Sequence, residues 1–457
     1  MADPWLPDYI AQWYDDFRAG YPYGRLTEWE GLGYPAEKTY LRGLKLHPHS
    51  TAVKIDAYIH AAGSAEEDER RFHALRLVSR VFGEVGFRIR KENAGAEWNS
   101  LRTYWISNGN LLSSGMNGYL LPREKGPYDW CWNRGLPPHT VESWFESFAR
   151  WVPSDHPNFN VTVTVLESTT GLLLHDRSLK IAVVPLVDSI GDFSIENVDT
   201  SPVNPLFRVS LRSPDVISEA ARNALDTAAS AECDVVVFPE LCLTEAIQNE
   251  LGEHLRSSGR QRPCLVVAGS APTPAGGAGT APYNQAVVFN HQGRRVLAHH
   301  KLHPYWMSGE EESRYGLAEA FGRVGRYEEI TIEPFEIQIL DTELGRLAVL
   351  ICEDLSALDH FGSLVVKLGL DWLLVPVLDG CQMPNRWTAR FGQRYADKGA
   401  CVVVATSLSF VKQHLSAISA TAEPPGVGVL VVPTQAGPDT RILYSAVHDQ
   451  PAIEELP

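Results

Sequence analysis

The chain of 457 residues is 44% hydrophobic and 21% charged, enough apolar mass for a large core and, at roughly 150 residues per domain, for two or three domains. Its 40 basic and 56 acidic residues leave a formal charge of -16, which repels phosphate backbones and disfavours a nucleic-acid partner. No uncharged apolar run reaches the roughly 18 residues a membrane span needs, and the best stretch, Leu364 to Leu378, is broken by Lys367 and Asp371.

The N-terminus (MADPWLPDYIAQWYDD) is acidic and punctuated by proline, unlike a secretory leader. Cysteines stand at positions 131, 233, 242, 264, 352, 381 and 401, an odd number, widely spaced and without a CxxC. That pattern argues against a disulfide framework and against a zinc knuckle. A reducing, cytoplasmic setting is the expectation.

Residues 1–177 hold nine of the twelve tryptophans, with 19 basic and 22 acidic residues. Glu66–Phe82 and Thr140–Trp151 have the spacing of amphipathic helices, the second with Val141, Trp144, Phe145, Phe148 and Trp151 on one side. Phe159–Leu166 and Leu172–His175 read as a hairpin around Ser168-Thr169-Thr170-Gly171. The sequence therefore predicts a separate N-terminal α+β domain over 1–177, of unassigned role, with its boundary near Asp176–Arg177. The basic stretch from Arg70 to Lys91 is interleaved with or flanked by acidic residues and reads as a solvated helix face. The tryptophans read as core and interface mass.

Residues 178–457 carry 21 basic and 34 acidic residues and alternate two patterns. Leu179–Leu186 is a short apolar run suited to a buried strand. Ser213-Pro214 opens a helix whose apolar stripe takes in Val216, Ile217, Ala220, Ala221, Leu225, Ala228 and Ala229. Asp234–Glu240 follows as a strand. A loop over Ala271–Pro282 then leads to two strands, Gln285–Asn290 and Arg295–His299, joined by His291-Gln292-Gly293. Leu347–Cys352, Trp372–Val377 and Ala400–Ala405 complete the strand-like runs. Strands alternating with helices predict an α/β layer structure.

Three segments put reactive groups at strand ends, where sites in layered α/β folds are assembled. Phe238-Pro239-Glu240 supplies a carboxylate, Lys301 in His300-Lys301-Leu302-His303 an ammonium, and Cys352 in Leu350-Ile351-Cys352-Glu353-Asp354 a thiol. A thiol is a weak nucleophile until a neighbouring base takes its proton, and a cation beside it can later hold an oxyanion. The backbone N–H after Cys352 is a second candidate oxyanion donor. Alone, each residue reads as core, solvated loop or strand-edge protection. In this order, 61 and 51 residues apart, they form a pattern.

With these residues the second half resembles the nitrilase, or carbon–nitrogen hydrolase, superfamily. FPE at 238–240, KLH at 301–303 and GRLAVLICED at 345–354 resemble its three motifs. Tyr283-Asn284 resembles the lead into its hairpin, and Arg394, Ala396 and Cys401–Ala405 the segment after the nucleophile's helix. The resemblance implies a nitrilase-like αββα sandwich over 178–457. It also implies a cofactor-independent amidase-type hydrolase of non-peptide C–N bonds, with Cys352 as nucleophile, Glu240 as general base and Lys301 as stabiliser of the tetrahedral intermediate. A thioester on Cys352 would be released by water, and the partners would be a small amide or nitrile and a second copy of the chain. A second, site-ordering glutamate is implied after the lysine. Glu310 stands nearest, with Glu311 and Glu312 adjoining it.

Glu353 replaces the usual aromatic residue, and Cys-Glu-Asp is similar to the glutaminase domain of glutamine-dependent NAD synthetases. Two other readings stay open: a binding or regulatory module on the same scaffold, and an ammonia donor to a partner protein. His47, His49, His299, His300 and His303 lack the spacing of a metal site. His303 is a candidate for orienting Lys301.

Overall fold

The apolar runs of the second half become strands buried on both faces, which only a layered structure allows. The computed structural model describes residues 71–72, 119–122, 148–151, 160–166, 178–199, 205–275, 280–332, 335–342, 344–357, 362, 364–365, 368–418 and 424–456. The chain divides into two units, Met1–Pro157 with Leu364–Gly369, and Asn158–Ser363 with Leu370–Pro457.

In the first unit, β1 (Tyr119–Pro122) and β2 (Phe148–Trp151) form an antiparallel pair with Tyr119 opposite Trp151. β2 corrects the helix expected over Thr140–Trp151: its last four residues are extended. Phe148 and Trp151 favour a pleated strand, and pairing with β1 overrides the helical spacing. Of Glu66–Phe82, only Arg71 and Phe72 are described, and both are helical. The rest of that stretch, the basic residues around it, and His47 and His49 lie outside the described residues.

The second unit runs through β3 (Asn160–Val165), β4 (Leu179–Val183), β5 (Phe193–Asp199), β6 (Leu206–Leu211), α1 (Pro214–Ser230), β7 (Val235–Val237) and α2 (Glu245–Ser258). Next come β8 (Leu265–Thr273), β9 (Tyr283–Asn290), β10 (Arg295–His300), β11 (Trp306–Met307), α3 (Gly309–Arg314), α4 (Ala318–Phe321) and β12 (Arg326–Glu328). β13 (Glu336–Thr342), β14 (Gly345–Val349), β15 (Trp372–Pro376), α5 (Trp387–Ala396), β16 (Cys401–Ala405) and α6 (Leu408–Ala417) follow. β17 (Gly426–Val432), β18 (Asp439–Tyr444) and β19 (Ala452–Leu456) close the unit.

Two sheets carry the fold. One has the order β10-β9-β8-β7-β4-β19 and the other β18-β17-β16-β15-β14-β13-β3, with β7 and β8 packed against β15. Alternation partitions each strand between two cores. Ala182, Val236 and Val266 face α1 and α2, while their sequence neighbours turn toward the opposite sheet. α5 and α6 cover the other sheet at β16 and β17. The result is the expected αββα sandwich. A smaller sheet, β11-β12-β6-β5, is appended to it.

α1 begins with Pro214 in its first turn and buries Ile217, Ala220, Ala221, Ala224, Leu225 and Ala228, an i, i+3, i+4 stripe. Val216, expected on that stripe, is 64% exposed instead. Val216 immediately precedes Ile217, so a 100° step carries it off the buried face. α2 is capped by Thr244, whose Oγ1 accepts from Ile247 N at 3.3 Å, and ends at Gly259 in the left-handed conformation.

One further expectation changes. The loop expected from Ala271 starts later, because β8 runs to Thr273 and supplies a central strand. β3 is extended, as the hairpin reading of Phe159–Leu166 expects, and pairs on one edge in parallel with β13, Asn160 opposite Glu336. The second unit thus takes in β3, ahead of the boundary expected near Asp176–Arg177. Leu172–His175 lies outside the described residues.

Candidate active site

Strand ends bring the three reactive segments together. β7 is buried throughout and hands the chain to Phe238-Pro239-Glu240. Beside it β8 carries a register shift between Val267 and Ser270. At that bulge Gly269 has φ +51, and a Cβ there would lie 2.2 Å from the Pro239 carbonyl oxygen. Ser270 Oγ accepts from Leu241 N at 3.2 Å. The bulge therefore seats the turn that presents Glu240.

Glu240 is buried and fully engaged. Its Oε1 accepts from Lys301 Nζ at 2.8 Å and from Asn284 Nδ2 at 3.0 Å, and its Oε2 from Leu378 N at 2.9 Å, where β15 exits. Lys301 follows β10, anchored by its own N–H to the Asn284 carbonyl at 2.8 Å. Its ammonium also donates to Glu328 Oε2 at 2.5 Å. Asn284 spends its second hydrogen on Glu328 Oε1 at 2.9 Å, so one amide and one ammonium bridge two carboxylates.

Cys352 follows β14 and opens a short 3-10 turn, Cys352–Ser356. Its φ is +48, a left-handed value that costs a β-carbon-bearing residue energy and recurs at functional sites. The charges of Glu240 and Lys301 both bear on the thiol.

Burial sets the resting protonation. It pushes Glu240 up, reinforced by Glu328 and opposed by Lys301 and Cys352. It also pushes the Cys352 thiol well up, with Glu240 adding and Lys301 subtracting. Burial alone would lower Lys301, but Glu240 and Glu328 overcome it and hold the ammonium well above its usual range. The resting site thus holds a neutral thiol beside a carboxyl of raised proton affinity and a fixed cation.

The other residues singled out in the sequence sit elsewhere. Glu310 is exposed in the first turn of α3. Glu311 caps that helix through Ser308 N at 2.8 Å and accepts from Tyr305 OH at 2.6 Å. Glu312 is buried with Arg326 Nε 3.6 Å away. The carboxylate beside Lys301 is Glu328, at the end of β12. Only its place in the RYEE stretch before β13 could have flagged it, and nothing there marks it as distinct. Glu353 is half-buried and accepts from Ser356 Oγ at 2.7 Å. His303 is bound to Asp354, Nδ1 to Oδ1 at 2.8 Å. Among the described residues no group of three His, Cys, Asp or Glu is placed to hold a metal ion, and no helix is long and apolar enough to cross a membrane.

An αββα sandwich with thiol, carboxyl and ammonium at its strand ends has the form of a nitrilase-like hydrolase domain. Residues 212–371, the segment that holds Glu240, Lys301 and Cys352, match the carbon–nitrogen hydrolase family model. Among solved structures the chain is similar to a mutant of the amidase from Nesterenkonia sp. AN1, at 14% identity, 61% of this chain, 90% of that one and a TM-score of 0.38. It is likewise similar to Saccharomyces cerevisiae Nit3 of the nitrilase superfamily, at 17% identity, 61% and 90% coverage and a TM-score of 0.39. The C. elegans NitFhit protein matches at 16% identity, 61% of each chain and a TM-score of 0.39. No curated protein matches the sequence.

Proposed function

We propose that this protein hydrolyses the C–N bond of a small non-peptide amide through a thioester on Cys352. The carrying observation is the buried Glu240 carboxyl, which accepts from Lys301 Nζ at 2.8 Å and is near enough to Cys352 for its charge to bear on the thiol. In its ionised form Glu240 takes the thiol proton as sulfur attacks the amide carbon. Lys301 and the backbone N–H of Glu353 receive the developing oxyanion. Glu240 returns the proton to the leaving nitrogen, ammonia or an amine departs, and the thioester remains. Water deprotonated by Glu240 then attacks, releasing the carboxylic acid and regenerating the thiol. Glu328 is the second carboxylate that holds the Lys301 ammonium.

Intact-mass spectrometry after mixing with short aliphatic amides tests this directly. The expected result is an acyl adduct that maps to Cys352, is absent from Cys352→Ala, and accompanies ammonia release. Ammonia release by Cys352→Ala at the wild-type rate would overturn the reading. Self-association through the sandwich is also proposed, with light scattering as its check: a particle of 50.6 kDa would remove it.

A further inference from the structure

The surroundings of Cys352 are charged on a second side. Asp379 stands just past β15, next to Leu378, whose N–H donates to Glu240 Oε2 at 2.9 Å, and its charge bears on the thiol. It accepts from Trp387 Nε1 at 2.9 Å and, at very short range, from Arg386 Nη2. Arg386 is the residue before α5, and α5 packs on the turn that begins at Cys352. Asp379 raises the proton affinity of Arg386, and Tyr305 lies at the same site, its N–H donating at 3.2 Å to Glu328 Oε2 beside Lys301. Guanidinium and thiol therefore share Asp379 as a neighbour.

Asp379 spends its carboxylate on Arg386 and Trp387, which fixes the guanidinium without using it up. Nε of Arg386 is buried with no acceptor, and Nη1 donates to no described residue. No side chain caps the first turn of α5, which starts at the same point. A fixed guanidinium with spare planar donors calls for a carboxylate. A second cation here would meet both Arg386 and Lys301.

We propose that Arg386 receives a carboxylate at the far end of the substrate, so that the preferred substrates are short aliphatic amides bearing an anionic group. This rests on the hydrolase reading above. Glutaric acid monoamide, pentanamide and 5-aminopentanamide share a chain length and differ in terminal charge, so their kcat/KM values isolate the effect. The anionic amide is expected to be favoured over the neutral one by roughly tenfold to a hundredfold, the value of a charge-assisted hydrogen bond. Arg386→Met is expected to lose at least tenfold of that ratio, and Arg386→Lys to keep part of it. Where Arg386→Met fails to fold, Asp379→Asn combined with Arg386→Met leaves no unpaired buried charge and gives the same readout.

Equal use of the neutral or cationic amide, or an unchanged ratio in a folded Arg386 variant, overturns the proposal. Calorimetric binding of glutaric acid monoamide to Cys352→Ala, with and without Arg386→Met, separates it from the reading it rests on. Arg386-dependent binding without any turnover keeps the anion site and removes the hydrolase. Turnover of neutral amides without such binding does the reverse, and the absence of both removes both.

Discussion

Asp354 holds His303 twice, accepting from its backbone N–H at 2.9 Å and facing its Nδ1 at 2.8 Å across 51 residues of sequence. The same carboxylate accepts from Leu302 N at 3.1 Å and Ile351 N at 3.2 Å, with His299 Nε2 3.6 Å away. Leu302 follows Lys301 and Ile351 precedes Cys352. One buried carboxylate therefore ties the backbone of the ammonium to that of the thiol.

The Asp354 clamp gives a prediction in acid. Burial alone would raise Asp354, but the His303 hydrogen bond and the two facing imidazoles, His299 and His303, bring it down to about 2. A depressed carboxyl stabilises the fold above its unfolded value and loses that contribution as pH falls toward the folded one. Urea unfolding of the wild type should thus lose about 2 kcal/mol between about pH 4 and pH 2 from this group. Asp354→Asn should lack that loss and be less stable at pH 7 by about 3 kcal/mol, since it leaves donors unpaired in the core. Equal acid sensitivity in the two proteins would refute the clamp.

Glu328 should set the acid limb of the rate profile. Its charge raises Glu240, so Glu328→Gln lets Glu240 ionise more easily. The acid limb of kcat/KM should then move to lower pH, while kcat falls about tenfold as Lys301 loses one of its two holders. Glu310→Gln, at an exposed position, should leave the limb in place. A pH–rate profile of the three proteins checks both signs.

Gly269 is constrained by contact as well as by its dihedral. A methyl group there meets the Pro239 carbonyl oxygen at 2.2 Å, and that atom cannot yield without moving Glu240. Gly269→Ala should cost about 2 kcal/mol in stability or more, and turnover should fall further than stability alone explains. Thermal unfolding paired with steady-state kinetics reads both.

Much of this was legible in the chain because it is local. The runs that became β4, β7, β15 and β16 are apolar on both faces, and Glu240, Lys301 and Cys352 each end a strand in a recognisable motif. What stayed hidden was set by distant partners. Glu328 reaches Lys301 only because β12 pairs with β6 and ends at the site, and no spacing in the sequence encodes that contact. β2 read as a helix because Phe148 and Trp151 fit both periods until β1 supplies a strand to pair with. β8 was missed because its glycine and small residues, needed for the bulge, look like a loop.

The left-handed backbone of Cys352 yields the last expectation. Alanine at 352 removes the sulfur but keeps the β-carbon, so it inherits the cost of φ +48, whereas glycine sheds it. Both variants should be inactive. Cys352→Gly should nonetheless be more stable than Cys352→Ala by about 1 kcal/mol, against the usual preference for alanine. Denaturant unfolding of the pair measures the difference. An alanine variant as stable as the glycine one, or more so, would mean that the turn relaxes when sulfur leaves, and that the thiol itself holds the backbone in this conformation.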